Sequence, residues 1–231
     1  MKTIQTKYGA MHLYDSLEEL DEFTHESCAD WLHFNDPNGC YFIRNLQTWI
    51  DIATRQQMRE GKAWYKEAQR FTRNLSKIHK VDKYIVAAVT SALSPNNKWL
   101  RNKLDANSLI AAFMEGRSID SFKVCTYNAN KRKAWSIMTD GEEIAAKSPK
   151  THAFAMNMGR LSEKHVTIDK WHIRACLCKP SEGIVDTTES VTSAQYRRIE
   201  AITARLAEEN KLKAYQLQAV IWVAIKQNWN R

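Results

Sequence analysis

The stretch Asp82-Lys83-Tyr84-Ile85-Val86-Ala87-Ala88-Val89-Thr90-Ser91-Ala92-Leu93, closed by Ser94-Pro95-Asn96-Asn97, decides the fold. Asp82 suits the N-cap of a helix, where a carboxylate accepts from free backbone N–H groups. From Tyr84 to Leu93 the residues are apolar nearly all round, and a helix with no polar face belongs inside a molecule. Pro95 and the two asparagines then break it. A central helix of this kind needs amphipathic helices around it, and the flanking sequence supplies them.

Upstream, after Gly61, Trp64, Ala68, Phe71, Leu75 and Ile78 recur every three or four residues as the stripe of an amphipathic helix. Downstream, Trp99 to Met114 is read as helical, with Leu100, Leu104 and Ile110 toward the core and Gly116 as the stop. A basic helix from Asn130 to Met138 follows, then short helices over Glu142 to Lys147, Lys150 to Met158 with Gly159 as C-terminal stop, and Asp169 to about Cys178. Lys179 to Gly183 reads as a loop, and Ser193 to Asn210 and Ala214 to Asn228 as two closing amphipathic helices. Near the N-terminus, Ser16-Leu17-Glu18-Glu19 fits a capping box and Asp36-Pro37-Asn38-Gly39 a turn. With seven Gly, four Pro and no sustained period-2 alternation, the expected class is all-α. The expected domains are an N-terminal helical extension over 1–60 and a main domain over 61–231.

Thirty-four Lys and Arg against 26 Asp and Glu leave a formal charge of +8, which favours an anionic partner such as nucleic acid. No apolar run approaches a membrane span and the first residues lack a secretory pattern, so no membrane partner and a cytoplasmic location are expected. Cys28, Cys40, Cys125, Cys176 and Cys178 are odd in number and irregular in spacing, reading as reduced thiols. Cys176-Leu177-Cys178 lacks the gap usual in zinc sites, so neither metal nor cofactor is expected.

Chemistry is suggested by Lys150 and Asp169. Each stands at a helix start after a break in the chain, and an amine and a carboxylate so placed can serve one reacting centre. Ser148 is a good N-cap and Pro149 suits the first helical position, where its missing N–H costs nothing. Lys150 then lies in the first turn beside unbonded N–H groups, a place that suits phosphate. The segment Glu142 to Asn157 reads as two helical arms with Ser148-Pro149 between them.

In order and spacing these residues resemble the helix-hairpin-helix DNA glycosylase superfamily, whose members include endonuclease III and 8-oxoguanine DNA glycosylase. Thr126-Tyr127-Asn128-Ala129-Asn130-Lys131-Arg132-Lys133-Ala134 is similar to the family's Tyr-Asn-x-Lys-Ala segment. Ile168-Asp169-Lys170-Trp171-His172-Ile173 is similar to the Val-Asp segment that follows the hairpin. Ser94-Pro95-Asn96-Asn97 falls where those enzymes carry an Asn-rich loop. The resemblance covers about Val86 to Cys178. Ala145-Ala146-Lys147-Ser148-Pro149 replaces the usual glycine-bearing hairpin, and the four-cysteine cluster loop is absent. Together with Gly61-x-x-Trp64-Tyr65 and Leu217-Gln218-Ala219-Val220-Ile221-Trp222, the pattern looks like a divergent branch common in bacteriophage genomes.

The resemblance implies a two-lobed helical bundle with a helix-hairpin-helix element and a cleft between the lobes. It implies a monomeric DNA glycosylase, with or without AP-lyase activity, acting on double-stranded DNA with a damaged or modified base. Lys150 is the implied nucleophile, and Asp169 the carboxylate that steadies an oxocarbenium-like sugar. The base has to leave the stack, at a cost of a few kcal/mol, and Trp99, Tyr127, Trp135 and Trp171 are the expected platforms. Asn96, Asn97, Asn128, Lys131, Lys133, Ser148, His165 and His172 complete the expected DNA and base contacts. Plainer uses stand beside these: Asp169 as an N-cap, Lys131 to Lys133 as a solvated face, and Trp64 and Trp222 as core. Two other functions share the scaffold, a phage DNA base-hypermodification transferase and a non-catalytic DNA-binding protein.

Overall fold

A computed structural model describes residues 2–6, 9–13, 40–141, 145, 147–160, 162–178 and 191–229. The capping box at Ser16, the turn at Asp36 and the loop after Lys179 lie outside the described residues, as do 142–144 and 146 of the expected helix before Ser148.

Among the described residues the structure is helical apart from one pair of antiparallel strands. Strands β1 (Lys2–Thr6) and β2 (Gly9–Leu13) pair antiparallel, Thr6 opposite Gly9. Then come helices α1 (Cys40–Asp51), α2 (Arg55–His79), α3 (Lys83–Ala92), α4 (Trp99–Met114), α5 (Asn128–Asp140), α6 (Pro149–Arg160), α7 (Lys170–Leu177), α8 (Ser193–Glu209) and α9 (Ala214–Trp229), with a 3-10 turn over Ile119–Ser121. Among the described residues no helix is long and apolar enough to cross a membrane.

The chain divides into two compact units, one of Met1–Lys62 with Ile168–Arg231 and one of Ala63–Thr167. This differs from a 1–60 extension preceding a 61–231 domain: α1 packs on α7, α8 and α9, so the early residues belong with the last.

In the unit Ala63–Thr167, α3 is the central helix that its composition requires. The Asp82 carboxylate accepts from Tyr84 N at 2.7 Å, and Val86 to Ala92 are all buried. Helices α4, α5 and α6 pack around it, α6 most extensively. Val86, Val89, Leu93, Leu109, Ile110 and Ile137 form the centre of its core, each aliphatic side chain contributing about 1.5–3 kcal/mol when fully buried.

Several expectations are corrected here. Ile78 is 70% exposed, and on α4 Leu100 and Leu104 are 68% and 53% exposed. The buried face of α4 is instead Asn102, Asp105, Ala106, Leu109 and Ile110, because Asn102 and Asp105 have interior partners: Asn102 Nδ2 donates to the Thr90 carbonyl at 3.0 Å. Gly159 does not stop α6, which runs on to Arg160. It gives room to Tyr84, whose ring would lie 2.9 Å from a Cβ at that position.

In the other unit, α1 carries Tyr41, Asn45 and Trp49 at spacings of four, hence on one stripe. Their polar atoms donate to Leu177 O at 2.9 Å, Cys176 O at 2.8 Å and Cys178 O at 2.9 Å. These carbonyls end α7 and have no partner within it, so α1 caps α7 from the side. Gly61 lies inside α2 rather than before it, and a Cβ there would stand 2.5 Å from Val220 Cα on α9. The two backbones approach as closely as glycine allows.

Candidate functional site

Lys150 is the second residue of α6, as its neighbours dictate. His152 N donates to Ser148 O at 2.9 Å, and the Thr151 hydroxyl lies 3.2 Å from that of Ser148. Ser91 of α3 donates through its hydroxyl to Thr151 O at 2.7 Å, so the first turn is tied to the core helix. Ala145 and Lys147 before it are in 3-10 conformation. The Lys150 side chain is half-buried, and among the described residues its amine makes no hydrogen bond or ion pair.

One turn on, Phe154 shares the Lys150 face of the helix. Its ring stacks on Trp64 at 5.9 Å, Trp64 meets Trp99 at 5.2 Å, and Phe71 meets Trp99 edge-on at 5.8 Å. Lys103 sits over this cluster, 5.7 Å from the Trp99 ring centre. Trp99, an expected base platform, and Trp64, an expected core residue, are thus half-buried members of one aromatic group with Phe154. Phe154 and Lys103 were not anticipated; the four-residue step from Lys150 was the available signal for Phe154.

The Ser94–Asn97 loop is bolted to the segment before α5. Asp105, buried on α4, accepts from Asn97 Nδ2 at 2.9 Å, Arg101 Nε at 2.9 Å and the Cys125 backbone N–H at 2.8 Å. Thr126 donates to Pro95 O at 2.7 Å, and Asn96 Nδ2 to the Tyr127 hydroxyl at 2.8 Å. Asn96 has φ of 55°, a left-handed conformation that Asn tolerates better than most residues. Tyr127 is 63% exposed, and Asn96 and Asn128 are exposed. Asn97 turns inward as a latch rather than outward as a reader.

On α5, Lys131 is corrected to a structural residue: it is buried, with its ammonium donating to Phe122 O and lying 4.3 Å from the Phe122 ring centre. Trp135 packs on Phe113 at 5.1 Å and Phe122 at 6.2 Å, as part of the core. Arg132 is exposed. Burial, followed by the charge of Lys147, holds the Lys133 amine below its ordinary value, so these two residues concentrate positive charge.

His165 is half-buried, with its ring edge-on to His152 at 5.0 Å. Its segment is held by Asn157, whose amide donates to Ser162 O and His165 O and accepts from the Thr167 hydroxyl.

Asp169, in the other unit, is the N-cap of α7. Its Oδ1 accepts from Trp171 N at 3.0 Å and His172 N at 2.9 Å. It is half-buried, and its charge acts on Arg174, whose guanidinium is pulled down mainly by burial. Capping and a role at a reacting centre are compatible uses of one carboxylate. Lys150 and Asp169 thus stand in different units, each fixed at a helix start.

His172 is corrected from a DNA contact to a core residue. It is buried, and Nε2 lies 2.9 Å from the Thr203 hydroxyl. That hydroxyl donates to Ile199 O at 2.8 Å, so Nε2 carries the proton. Burial pushes its pKa down to about 3 and the Cys176 thiol up. Neither group is ionised near neutrality. Among the described residues no group of three or more His, Cys, Asp or Glu could hold a metal.

These features define a basic, helical protein with a lysine in the first turn of a helix, one turn before a phenylalanine that belongs to an aromatic cluster. The chain belongs to a family described as a family of unknown function, DUF7178, whose profile matches residues 38–229. No curated protein and no solved structure matches it.

Proposed function

We propose that the protein is a DNA glycosylase with AP-lyase activity, acting on a damaged or modified base turned out of double-stranded DNA. The observation that carries this reading is the setting of Lys150: an amine in the first turn of a core-anchored helix, one turn from Phe154 and its tryptophan cluster. Unbonded N–H groups at the helix start favour a phosphate, and flat rings favour an unstacked base. In this reading Ala145–Pro149 and the helices beside it are a divergent helix-hairpin-helix element, and the bundle is two-lobed.

Chemically, the Lys150 amine attacks the anomeric carbon as the glycosidic bond breaks. The bonding electron pair leaves with the base, which takes up a proton. The Asp169 carboxylate stabilises the positive charge that develops on the sugar. Ring opening gives a Schiff base, and loss of a proton from the neighbouring carbon expels the 3′ phosphate. In this reading Asn96 and Tyr127, hydrogen-bonded to each other at the surface, contact the duplex.

Borohydride trapping tests it. Duplex DNA with an abasic site should give a covalent adduct that Lys150→Ala abolishes. Asp169→Asn keeps a side chain that caps well, so folding and binding should persist while turnover falls roughly a hundredfold or more. No adduct with the wild-type protein, or full turnover in the Asn variant, overturns the assignment.

A further inference from the structure

The outer face of α4 carries an apolar stripe that stays in solvent. Leu100, Leu104, Asn107, Ala111 and Met114 follow one another at steps of four, three, four and three residues, the spacing of a coiled-coil seam. At 3.6 residues per turn they lie within an arc of about 80°, opposite the buried face of Asn102, Asp105, Ala106, Leu109 and Ile110. Leu100, Leu104 and Asn107 are exposed, Met114 is 52% exposed and Ala111 is half-buried. Apolar residues scattered singly over a surface need no explanation. Aligned along one helix, they mark a contact for a partner.

The stripe suits a second copy of the same chain because it reads nearly alike from either end about Asn107. In antiparallel pairing around a two-fold axis at that residue, Leu100 meets Met114 of the second copy, and Leu104 meets Ala111, a large side chain against a small one. Asn107 then faces itself. Its Oδ1 lies 2.9 Å from His79 Nε2, and among the described residues its Nδ2 makes no hydrogen bond, which leaves a donor for the Oδ1 opposite. An asparagine in an apolar seam fixes register.

Charge selects the orientation. On one flank of the stripe Arg101 stands near the start of α4 and Glu115, the C-cap residue, at its end. Antiparallel pairing sets Arg101 against Glu115 of the second copy at both ends, whereas parallel pairing turns Arg101 toward the flank that carries Lys103. Arg101 engages Asp105 through Nε at 2.9 Å, and Glu115 engages Arg117 through Oε2 at 2.6 Å. The terminal guanidinium nitrogens of Arg101 and Oε1 of Glu115 remain for a partner. A uniformly anionic surface, whether lipid or nucleic acid, has no counterpart for Glu115.

We propose that α4 is a homodimer interface, in which two copies pair antiparallel through Leu100, Leu104, Asn107, Ala111 and Met114. All of these residues lie in the unit Ala63–Thr167. The pairing is independent of the chemistry of Lys150 and replaces the monomer that the resemblance implies. A seam about 21 Å long and about 10–12 Å wide covers less than the roughly 1,200 Å² of a standard interface. The dimer is therefore weak, with a dissociation constant on the order of 10–100 μM.

The test is sedimentation equilibrium of the full chain from about 3 to 300 μM, a span that brackets this constant. Leu104→Glu should weaken association by about tenfold or more, because it sets a charge in the seam, and Leu104→Met should keep it. Glu115→Lys should weaken it about threefold or more. A wild-type protein that stays monomeric throughout overturns the proposal, as does an undiminished dimer of Leu104→Glu with its thermal melt intact. Mild oxidation gives a second readout that does not depend on that variant folding. Asn107→Cys should form disulfide-linked dimers above the wild-type level, since the two copies of that position face each other, and Leu100→Cys should not. Equal linkage of both variants would mean parallel pairing, and linkage of neither would mean that this face is not the interface; either result overturns the proposal. Co-sedimentation of a monomeric wild type with vesicles of phosphatidylglycerol, lost in Leu104→Glu, would assign the stripe to a lipid surface instead.

Discussion

At the scale of single residues, His172 shows how position overrides type. A histidine beside an aspartate invites a role in proton transfer, yet its ring faces Thr203 inside the protein and is neutral down to about pH 3. In the unfolded chain it titrates near the ordinary value of about 6.5. Between those values the unfolded state binds the extra proton, so stability is complete above about pH 6.5 and falls as the pH drops toward 3. Each pH unit inside that window should remove up to about 1.4 kcal/mol. Urea melts from pH 7 to 4 should show this decline, and His172→Gln should flatten it; equal slopes for the two proteins would refute it. Lys150 and Asp169 were legible because helix starts have local signatures in Ser148-Pro149 and in an Asp before an apolar run. The inward turn of Lys131 and Asn97 was not, since their partners, Phe122 and Asp105, are brought near by tertiary packing.

At the scale of elements, the helices from α2 to α9 were readable from periodicity and caps, and α3 most securely. What misled was α4, where Leu100 and Leu104 carried the apolar signal while the interior face used Asn102 and Asp105. A polar residue with buried partners cannot be told from a solvated one by hydropathy. Helix α1 lay unread because its stripe of Tyr41, Asn45 and Trp49 works by donating to the carbonyls of α7, a use with no apolar period. Asp105→Ala should release Asn97, Arg101 and the Cys125 N–H together, lowering stability by about 3 kcal/mol. It should also raise hydrogen exchange in the Ser94–Asn97 loop; an unaltered melt would show that the latch is not needed. For Gly61→Ala, helix propensity alone argues for a gain of about 1 kcal/mol. The 2.5 Å approach to Val220 Cα argues for a loss, and since backbone cannot step aside cheaply, the loss should win. A net destabilisation of about 2–3 kcal/mol is expected from overpacking, and a stabilised variant would contradict the close crossing of α2 and α9.

At the scale of the whole molecule, the class was legible and the partition was not. Composition and period mark the helices from α2 onward, but no composition shift marks Lys62 or Ile168, because each unit is closed by ordinary helices. The positive charge reads only as a general preference for anions.

The division of the chain has a consequence for its synthesis. Residues 63–167 are made as one uninterrupted stretch and hold all of their own core, whereas α1 leaves the ribosome long before α7, α8 and α9 exist. At about 5–20 residues per second, Tyr41, Asn45 and Trp49 wait on the order of ten seconds for the carbonyls they will bind. A nascent chain stalled far enough past Thr167 for that residue to clear the exit tunnel, with α7 still inside it, should therefore protect the amides of α3 and α6 from exchange while those of α1 stay open. Early protection of α1 in that chain would mean that it finds another partner first.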